Sequence, residues 1–509
     1  MIVTSEKILS LDELAERSRA LKAEGKRVVL CHGTFDLMHA GHIRHMQRAK
    51  EEGDILLVTV TGDAYVNKGP GRPVFNEQLR AEYIAALACV DYVAVNQAVT
   101  AIEALHKLQP NIYAKGSDYR SHGDDVTGNI AREQEAVEAH GGKVFYTDEI
   151  TFSSSSLLNE HFGVFPPETK EYLKAFRGNW SDKDVHRMLG SLTGLKVLVV
   201  GDAIIDQYHY TAPLGQTGKG NILAVRYESE EQFAGGSIAV ANHLAGFTSK
   251  VTLVTGLGTI NSQEEFIRSK LLKNVEPVFF YMEGAPTVTK RRFVDADLAK
   301  FFEVYFYHED PVLGDTEQQV CRWLNRHAAG YDVVVVPDFG NGFISAAMID
   351  TLCDRAKYLA VNTQVNSGNR GFHVIHRYAH ADFASLNEPE VRLASHNRLE
   401  PIESVARDVS DRIKARHFAV TRGTKGVIML DRQQGMVHTV PALSTKVVDR
   451  IGAGDAFLSL AGICLGGGLP SEVAAFVGSA AAALDVQIVC NREPISPVSL
   501  NKYVTTLLK

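Results

Sequence analysis

Short apolar runs alternate with helix-like segments along two stretches of the chain. In the first, the runs RVVLCHG (from residue 27), DILLVTV, DYVAV and NIYAKG are separated by helical patterns, two of which begin near residues 42 and 76. In the second, the runs KVLVVGD (from residue 196), YDVVVVPDFG, KYLAVNT and HFAVTRGTKG repeat the pattern of buried strands. Strands that alternate with helices predict parallel sheets with helices packed on their faces, so we expect an α/β fold for both stretches.

The segment between the two stretches differs from both. It contains a Pro-Pro pair and polar helical sequence, HFGVFPPETKEYLKAFRGNWSDKDVHRML, which is typical of a connection. A chain of 509 residues also exceeds what one hydrophobic core usually serves. We therefore expect two domains, at residues 1–161 and 191–509, joined by a connector at residues 162–190.

Composition narrows the classes of partner. The hydrophobic share of 45% and the charged share of 22% are ordinary for a globular protein. A formal net charge of -7 argues against binding to nucleic acid, although it is compatible with a local basic pocket for phosphate. The six cysteines show no CxxC spacing, and we find neither a secretion signal nor an apolar stretch of membrane-spanning length. We expect a cytoplasmic protein with no nucleic-acid or membrane partner.

The segment GTFDLMHAGH, at residues 33–42, stands where the first predicted strand ends and a helix begins. Ligands of open parallel sheets sit beyond the carboxyl ends of the strands, and the N–H groups of a helix start favour an anion there. His39 and His42 flank Gly41, so both imidazoles can point into the same space. They are predicted to stabilise the charge that develops on an α-phosphate during in-line attack.

These residues resemble the HxGH motif of the cytidylyltransferase-like nucleotidyltransferases, which implies a Rossmann-like domain. The stretches KGPGRPV, DYV, KGSDY and the later GGKV and FSSS are similar to those of the heptose-1-phosphate adenylyltransferase branch. By that resemblance, the residues around the nucleoside triphosphate are Thr34, Phe35, His39, His42, Lys68, Asp118, Ser153 and Ser154. The choice between ATP and CTP stays open, and the serine run could instead be a linker.

A second group of motifs lies in the C-terminal half. GGSIAVAN, at residues 235–242, and DRIGAGDAF, at residues 449–457, each open a predicted helix. Small residues at a helix start let backbone N–H groups form an anion hole for a transferred phosphoryl group. Asp455 beside that hole is predicted to be the base that accepts the proton of the attacking hydroxyl, the alternative being a helix cap.

Together with GD at residues 201–202, these motifs resemble the PfkB or ribokinase family, which implies a ribokinase-like α/β domain with a small β-lid. By the resemblance, the residues at the sugar are Asp202, Asp206, Gly235, Gly236, Asn242, Lys290 and Arg292. Those at the nucleotide and anion hole are Asn387, Glu390, Thr421, Gly423, Gly426, Gly452, Ala453 and Gly454, with Glu390 placing Mg²⁺ through water. Plainer alternatives are a strand-end turn and polar helix face for Asp202, Asp206 and Asn242, an exposed basic strand for residues 290–292, and a surface hairpin for residues 421–426.

Both halves together are similar to the bifunctional heptose-7-phosphate kinase and heptose-1-phosphate adenylyltransferase family, which prepares ADP-heptose for lipopolysaccharide, although the usual domain order is reversed. The resemblance implies phosphorylation of heptose 7-phosphate at C1 by ATP, nucleotidyl transfer with release of pyrophosphate, and a homodimer through the lid. In the kinase half, Asn341 stands where the heptose kinases usually show lysine, and Asn362-Thr363-Gln364 replaces their Asp-Pro-Lys. Two alternatives therefore remain: another sugar or polyol phosphate as substrate, or a kinase-like half that serves as a ligand-sensing or dimerisation module.

Overall fold

The computed structural model describes residues 5–66, 72–116, 129–147, 165–308 and 311–509. It divides into two compact units, Met1–Pro166 with Asn501–Lys509, and Pro167–Leu500. Within the described ranges, no helix has the length and apolar content that crossing a bilayer requires.

The first unit is built on a parallel sheet. Its strands are β1 Ile8–Leu9, β2 Val28–Gly33, β3 Ile55–Thr61, β4 Tyr92–Asn96, β5 Ile112–Gly116 and β6 Lys143–Thr147, and its helices are α1 Leu11–Ala23, α2 Ala40–Lys50, α3 Glu77–Ala85, α4 Ile102–Leu108 and α5 Asn129–Glu138. In the described part of the chain the strand order is β1-β4-β3-β2-β5-β6, and each neighbouring pair is parallel. The carboxyl end of β2, between β3 and β5, is the topological switch point at which such sheets bind ligands.

Alternation along β2 explains why helices cover both faces of this sheet. Val29 and Cys31 join one buried apolar cluster, whereas Val28 and Leu30 join another. Successive side chains of a strand point to opposite faces, so a strand that is apolar at every position requires cover on both sides.

The second unit holds two sheets. The strands are β7 Lys196–Val200, β8 Ala203–Gln216, β9 Leu223–Gly236, β10 Lys250–Ile260, β11 Val275–Pro286, β12 Val288–Val294, β13 Lys300–Phe306, β14 Val333–Asp338, β15 Leu359–Thr363, β16 Phe383–Asn387, β17 His417–Thr421, β18 Val427–Asp431 and β19 Met436–Val440. Among the residues described, the larger sheet has the order β11-β10-β7-β14-β15-β16-β17-β18-β19 and the smaller one β13-β12-β8-β9. The larger sheet is parallel as far as β17 and antiparallel beyond it. The predicted α/β fold with a small β-lid is confirmed, the smaller sheet being the lid.

Eleven described helices occur from residue 167 to the end of the chain. They are α6 Pro167–Asn179, α7 Asp182–Ser191, α8 Ser237–Ala245, α9 Glu264–Lys270, α10 Gly314–His327, α11 Ala346–Arg355, α12 Glu388–Ser395, α13 Ile402–Arg412, α14 Ala453–Gly466, α15 Ser471–Asp485 and, last in the chain, α16 Pro497–Leu508. The helix α14 is apolar over most of its length and almost fully buried, which is typical of a helix in the middle of a large domain.

The described part of the predicted connector is helical and belongs to the second unit. It contains α6 and α7. Phe176 stacks on Phe476 with 4.2 Å between ring centroids, and the indole N–H of Trp180 donates to Glu472 at 2.9 Å. Through these contacts, α6 packs against α15 of the second unit.

Candidate active sites

The turn between β2 and α2 brings two histidines and a phenylalanine together. His39 is the residue before α2, and its Nδ1 accepts the N–H of Gly41 at 3.1 Å. The ring of His39 stacks on that of His42 with 3.9 Å between centroids, and Phe35 meets His42 edge-on at 5.4 Å. Both imidazoles therefore stand at a helix start beyond the carboxyl end of a central strand, as the sequence predicted.

The hydrogen bonding of His39 determines what it offers a ligand. Because Nδ1 accepts from Gly41, the neutral ring carries its proton on Nε2. That Nε2 atom is buried and has no hydrogen-bond partner among the described residues. Burial also lowers the pKa of His39, which favours the neutral ring. His39 thus presents an N–H donor at the place where a phosphate oxygen is expected.

Arg80, which the motif analysis did not select, holds this turn in shape. Its side chain is fully buried in α3. Its Nη1 donates to the carbonyl of Thr34 at 2.6 Å, Nη2 to that of Thr61 at 2.8 Å, and Nε to that of Phe75 at 2.8 Å. It also pairs with Asp63. A buried guanidinium that satisfies three carbonyls fixes the spacing between the phosphate-facing turn, the end of β3 and the start of α3.

Tyr83, one turn further along α3, secures the following residues of the same loop. Its hydroxyl donates to the carbonyls of Phe35 and Asp36. The carboxylate of Asp36 accepts the N–H groups of Val74 and Phe75 at 2.7 and 3.1 Å. These contacts hold Phe35 at a φ of 48°, a conformation that L residues seldom adopt unsupported.

Of the eight residues predicted around the N-terminal nucleotide, the structure brings Thr34, Phe35, His39 and His42 to this turn. The other four, Lys68, Asp118, Ser153 and Ser154, lie outside the described residues. Their roles stay predictions.

In the second unit, a cavity of about 1060 Å³ lies between the lid and the carboxyl ends of the strands β15 to β17. The predicted residues that line it are Asp206, Gly236, Lys290, Arg292, Asn387, Glu390, Thr421, Gly423, Gly426, Gly452, Ala453, Gly454 and Asp455. They come from six separate segments of the sequence, so the fold gathers these distant motifs around one space.

At one end of this cavity, α14 begins with the small-residue turn. Gly452 has a φ of 101°, and a Cβ there would lie 2.5 Å from Oδ1 of Asn491 and 2.7 Å from Oδ2 of Asp485. Glycine is therefore required by both conformation and space. The N–H groups of the first turn of a helix have no acceptor within the helix, so those of Ala453 and Gly454 are suited to an incoming phosphoryl group.

Asp455 stands in the first turn of α14 and lines the cavity. Burial and the negative charge of Asp206 raise the pKa of Asp455 to about 7, against the opposing effect of Lys290. A carboxylate whose pKa lies near neutrality can take a proton from a hydroxyl more readily than an ordinary surface aspartate. Asp455 is therefore a candidate for the predicted general base.

Lys290 and Arg292 are buried in the cavity wall, which overturns the alternative of an exposed basic strand. Arg292 pairs with Asp206 and, at 3.2 Å, with Glu303. Lys290 is 6% exposed and its Nζ lies 5.7 Å from the ring centroid of Tyr305. The lid strands β8, β12 and β13 therefore place a paired guanidinium and an ammonium above the sheet.

Asp202, predicted at the sugar, contacts the protein instead. Its carboxylate accepts the backbone N–H groups of Phe339 and Phe343, both at 3.2 Å, and of Asn341 at 3.5 Å. Burial, followed by the charge of Asp338, raises the pKa of Asp202 to about 6. The side chain shapes the turn after β14 and does not line the cavity described above.

Gly235 and Asn242 are also placed away from the predicted sugar contacts. A Cβ on Gly235 would collide with the carboxylate of Asp206, so this glycine makes room for a lining residue. The amide of Asn242 donates to the carbonyl of Lys270 at 2.9 Å and accepts the N–H of Leu272 at 3.0 Å. Both polar groups of the Asn242 side chain are therefore paired with backbone groups. These two hydrogen bonds join α8 to the end of α9.

The NEPE element caps α12 and faces the cavity at the same time. The side chain of Asn387 accepts the N–H of Glu390 at 2.9 Å, while Glu390 accepts the N–H of Asn387 at 2.9 Å and of Val365 at 3.2 Å. Burial raises the pKa of Glu390 to about 7. This capping box explains the motif structurally and still leaves the carboxylate in the cavity wall.

The TRGTKG stretch is a hairpin turn between β17 and β18, as its alternative interpretation proposed, and it also lines the cavity. Gly426 has a φ of 76°, and a Cβ there would collide with the carbonyl of Val440. A hairpin turn is therefore compatible with a place for this stretch in the cavity wall.

The lidded α/β fold and a cavity that gathers Asp455, the small-residue helix start and Lys290 are those expected of a small-molecule phosphotransferase of the ribokinase type. Residues 195–495 match the pfkB family of carbohydrate kinases, and the chain belongs to that family. Residues 30–168 match the cytidylyltransferase-like family. The predicted identity and order of the two domains are confirmed.

Curated relatives resemble only part of the chain. The bifunctional protein HldE of Pelobacter propionicus is 44% identical over 140 residues, which make up 27% of each protein. HldE of Geobacter metallireducens is 41% identical over 140 residues, again 27% of each. The matched segment thus spans about a quarter of the length of these relatives.

Among solved structures, phosphofructokinase-2 from Escherichia coli in complex with substrates and products superposes with a TM-score of 0.50 at 14% identity. The match covers 62% of this chain and 100% of that one. At this identity the similarity concerns the fold alone.

Proposed function

We propose that the protein is a bifunctional transferase of sugar-nucleotide synthesis. Its second unit transfers the γ-phosphoryl group of ATP to a sugar phosphate, and its first unit transfers a nucleotidyl group from ATP or CTP to the resulting sugar 1-phosphate with release of pyrophosphate. The observation that carries the proposal is the single cavity in which Asp455, the small-residue helix start and the buried Lys290 meet.

In the kinase step, the carboxylate of Asp455 accepts the proton of the attacking sugar hydroxyl. The hydroxyl oxygen then attacks the γ-phosphorus, and the bond to the β-phosphate oxygen of ATP breaks. Backbone N–H groups of Ala453 and Gly454 stabilise the charge on the transferred group. Lys290 adds positive charge beside the base, which favours the ionised form of Asp455.

Magnesium is a further part of the proposal, and the residues present fit it through water. Within the described residues no group of three carboxylate, cysteine or histidine side chains could hold a metal directly. Glu390 lines the cavity with both oxygens accepting one backbone N–H each, which leaves lone pairs for water. Magnesium retains several waters and would neutralise the phosphates of ATP there.

In the nucleotidyl-transfer step, a phosphate oxygen of the sugar 1-phosphate attacks the α-phosphorus and pyrophosphate leaves. His39 donates a hydrogen bond from its Nε2–H to an α-phosphate oxygen, and His42 packs against it in the stacked arrangement described above. Either ATP or CTP fits this proposal, because the roles assigned above to His39 and His42 concern the phosphate and not the base.

The proposed sugar is heptose 7-phosphate, which the likeness of residues near the N-terminus to HldE supports. Incubation of the purified chain with ATP, Mg²⁺ and heptose 7-phosphate should give a 1,7-bisphosphate detectable by mass spectrometry. A panel of other sugar and polyol phosphates serves as the comparison. If only another sugar or polyol phosphate of the panel is phosphorylated, that compound replaces heptose 7-phosphate as the proposed substrate. If no member of the panel supports ATP turnover, a ligand-sensing or dimerisation role is favoured for the kinase-like unit.

We also propose that the protein is a homodimer that pairs through the lid in the cytoplasm, where ATP is supplied. The lid exposes large apolar side chains, among them Tyr227 at 59%, Ile222 at 64% and Phe302 at 44%. Light scattering should give about twice the 55.8 kDa of one chain. Phe302→Glu should give monomers, whereas Leu399→Glu, on an even more exposed apolar residue outside the lid, should leave the dimer intact. A monomeric wild-type chain would contradict the proposal.

A further inference from the structure

The charges around the kinase cavity are not all balanced by the protein. Six lining side chains are cationic: Lys290, Arg292, Lys300, Arg370, Arg422 and Arg450. Three of them are paired: Arg292 with Asp206 and Glu303, Lys300 with Asp449 at 3.6 Å, and Arg422 with Glu388 at 3.1 Å. Within the described residues the other three, Lys290, Arg370 and Arg450, form no ion pair.

Two of these three cations belong to the reacting end of the cavity. Lys290 influences the pKa of Asp455, and Arg450 precedes Gly452 by two residues. Arg370 is different, because it lies in the loop that follows β15, at residues 364–374. That loop contacts the turn after β14 through Asn366 and Asn369, and the N–H of its Val365 is accepted by Glu390.

The loop that carries Arg370 has a defined shape. Asn366 donates through Nδ2 to the carbonyl of Phe339 at 3.2 Å, and its own N–H is accepted by Asn369 at 2.8 Å. The N–H groups of Gly368 and Asn369 are accepted by Oδ1 of Asn366 at 2.9 and 3.0 Å. A network of side-chain amides therefore presents Arg370 to the cavity on a fixed backbone.

Two neutral side-chain amides lie next to this loop, one in the turn after β14 and one in β15. Asn341, in the turn after β14, is 7% exposed, and among the described residues its Nδ2 has no hydrogen-bond partner. Asn362, in β15, lines the cavity, and its Oδ1 likewise finds no partner in the described part of the chain. Buried polar atoms of this kind require a ligand or water, and neutral amides alone do not balance a phosphate.

We infer that Arg370 binds the phosphate that the sugar carries before the reaction, and so selects a sugar phosphate over a free sugar. The inference rests on the proposed kinase function and adds the residue that recognises the substrate's own phosphate. A guanidinium can give two parallel N–H donors to one phosphate. Arg370 thereby supplies the charge that Asn341 and Asn362 lack.

The test compares heptose 7-phosphate with unphosphorylated heptose in the full-length chain. Arg370→Ala should lower kcat/KM for heptose 7-phosphate about 30-fold, because a charge-assisted contact is lost. It should leave kcat/KM for heptose and the KM for ATP unchanged. Added guanidinium ions should restore part of the lost rate. Phe372→Ala is the matched control, because Phe372 is 89% exposed in the same loop and does not line the cavity, and it should keep the wild-type values.

The results of this test distinguish a failure of the role of Arg370 from a failure of the proposed kinase function. The role of Arg370 would be overturned if the wild type is active and Arg370→Ala gives any of three results. These are equal losses with both sugars, an increase in the KM for ATP, or no effect at all. Absence of wild-type turnover with any sugar phosphate would instead overturn the proposed kinase function.

Discussion

The Asp455→Asn variant is expected to lose the kinase reaction by about 10²- to 10⁴-fold, the range over which a general base accelerates proton transfer. The amide has nearly the shape of the carboxyl group but cannot accept the hydroxyl's proton. Phosphorylation of the sugar phosphate, followed by mass spectrometry, measures the loss. The fall should appear in kcat more than in KM for ATP, because the contact acts in the transition state.

The acidity of Asp455 adds a pH dependence to this prediction. Burial raises its pKa from 3.8 to about 7, so the base is protonated and inactive at lower pH. Wild-type kcat/KM should therefore rise with pH through about 7 and then level off. Glu390 titrates over the same range. The kcat/KM that remains in Glu390→Gln should still rise with pH through about 7. If this rise is lost in the variant, the pH dependence belongs to Glu390 and not to Asp455.

The same pKa distinguishes a catalytic loss from an unfolded protein. A carboxyl group that binds its proton more tightly in the folded chain contributes stability at low pH and loses it as the pH rises from about 4 to about 7. Asp455→Asn removes this unfavourable ionisation. The variant should unfold at pH 8 at a temperature equal to or above that of the wild type, and a clear decrease would mean that the lost activity reflects misfolding.

Much of the site could be predicted because the motifs stand at the ends of strands. In a parallel sheet the carboxyl ends of all strands share one edge, so Thr421 at the end of β17 and Asn387 at the end of β16 must lie near one another. A turn of small residues ending in Asp455 could be assigned by its chemistry. The domain types and their order followed from these local features.

The partners of buried polar side chains could not be predicted in the same way. Asp202 accepts N–H groups more than 130 residues away along the chain, and no local pattern specifies such a contact. Arg80 did leave a signal, because it stands four residues before the buried Ile84 on the apolar face of a helix. An arginine at such a position must find several acceptors inside the protein.

The His42→Ala variant is expected to lose nucleotidyl transfer by about 10²- to 10³-fold, the effect of removing a stabilising group from a developing charge. The side chain stacks on His39 and meets Phe35 edge-on, so its removal also frees the ring whose Nε2 we propose to face the phosphate. Release of pyrophosphate from ATP or CTP in the presence of the sugar 1-phosphate measures the rate.

Two comparisons make this second prediction specific. His106→Ala removes an exposed histidine of the same unit that contacts His140, and it should leave both activities unchanged. His42→Ala should retain full kinase activity, just as Asp455→Asn should retain full nucleotidyl transfer, because each reaction uses its own strand-to-helix turn. Loss of kinase activity in the histidine variant would contradict independent sites and would require that the two reactions share a step.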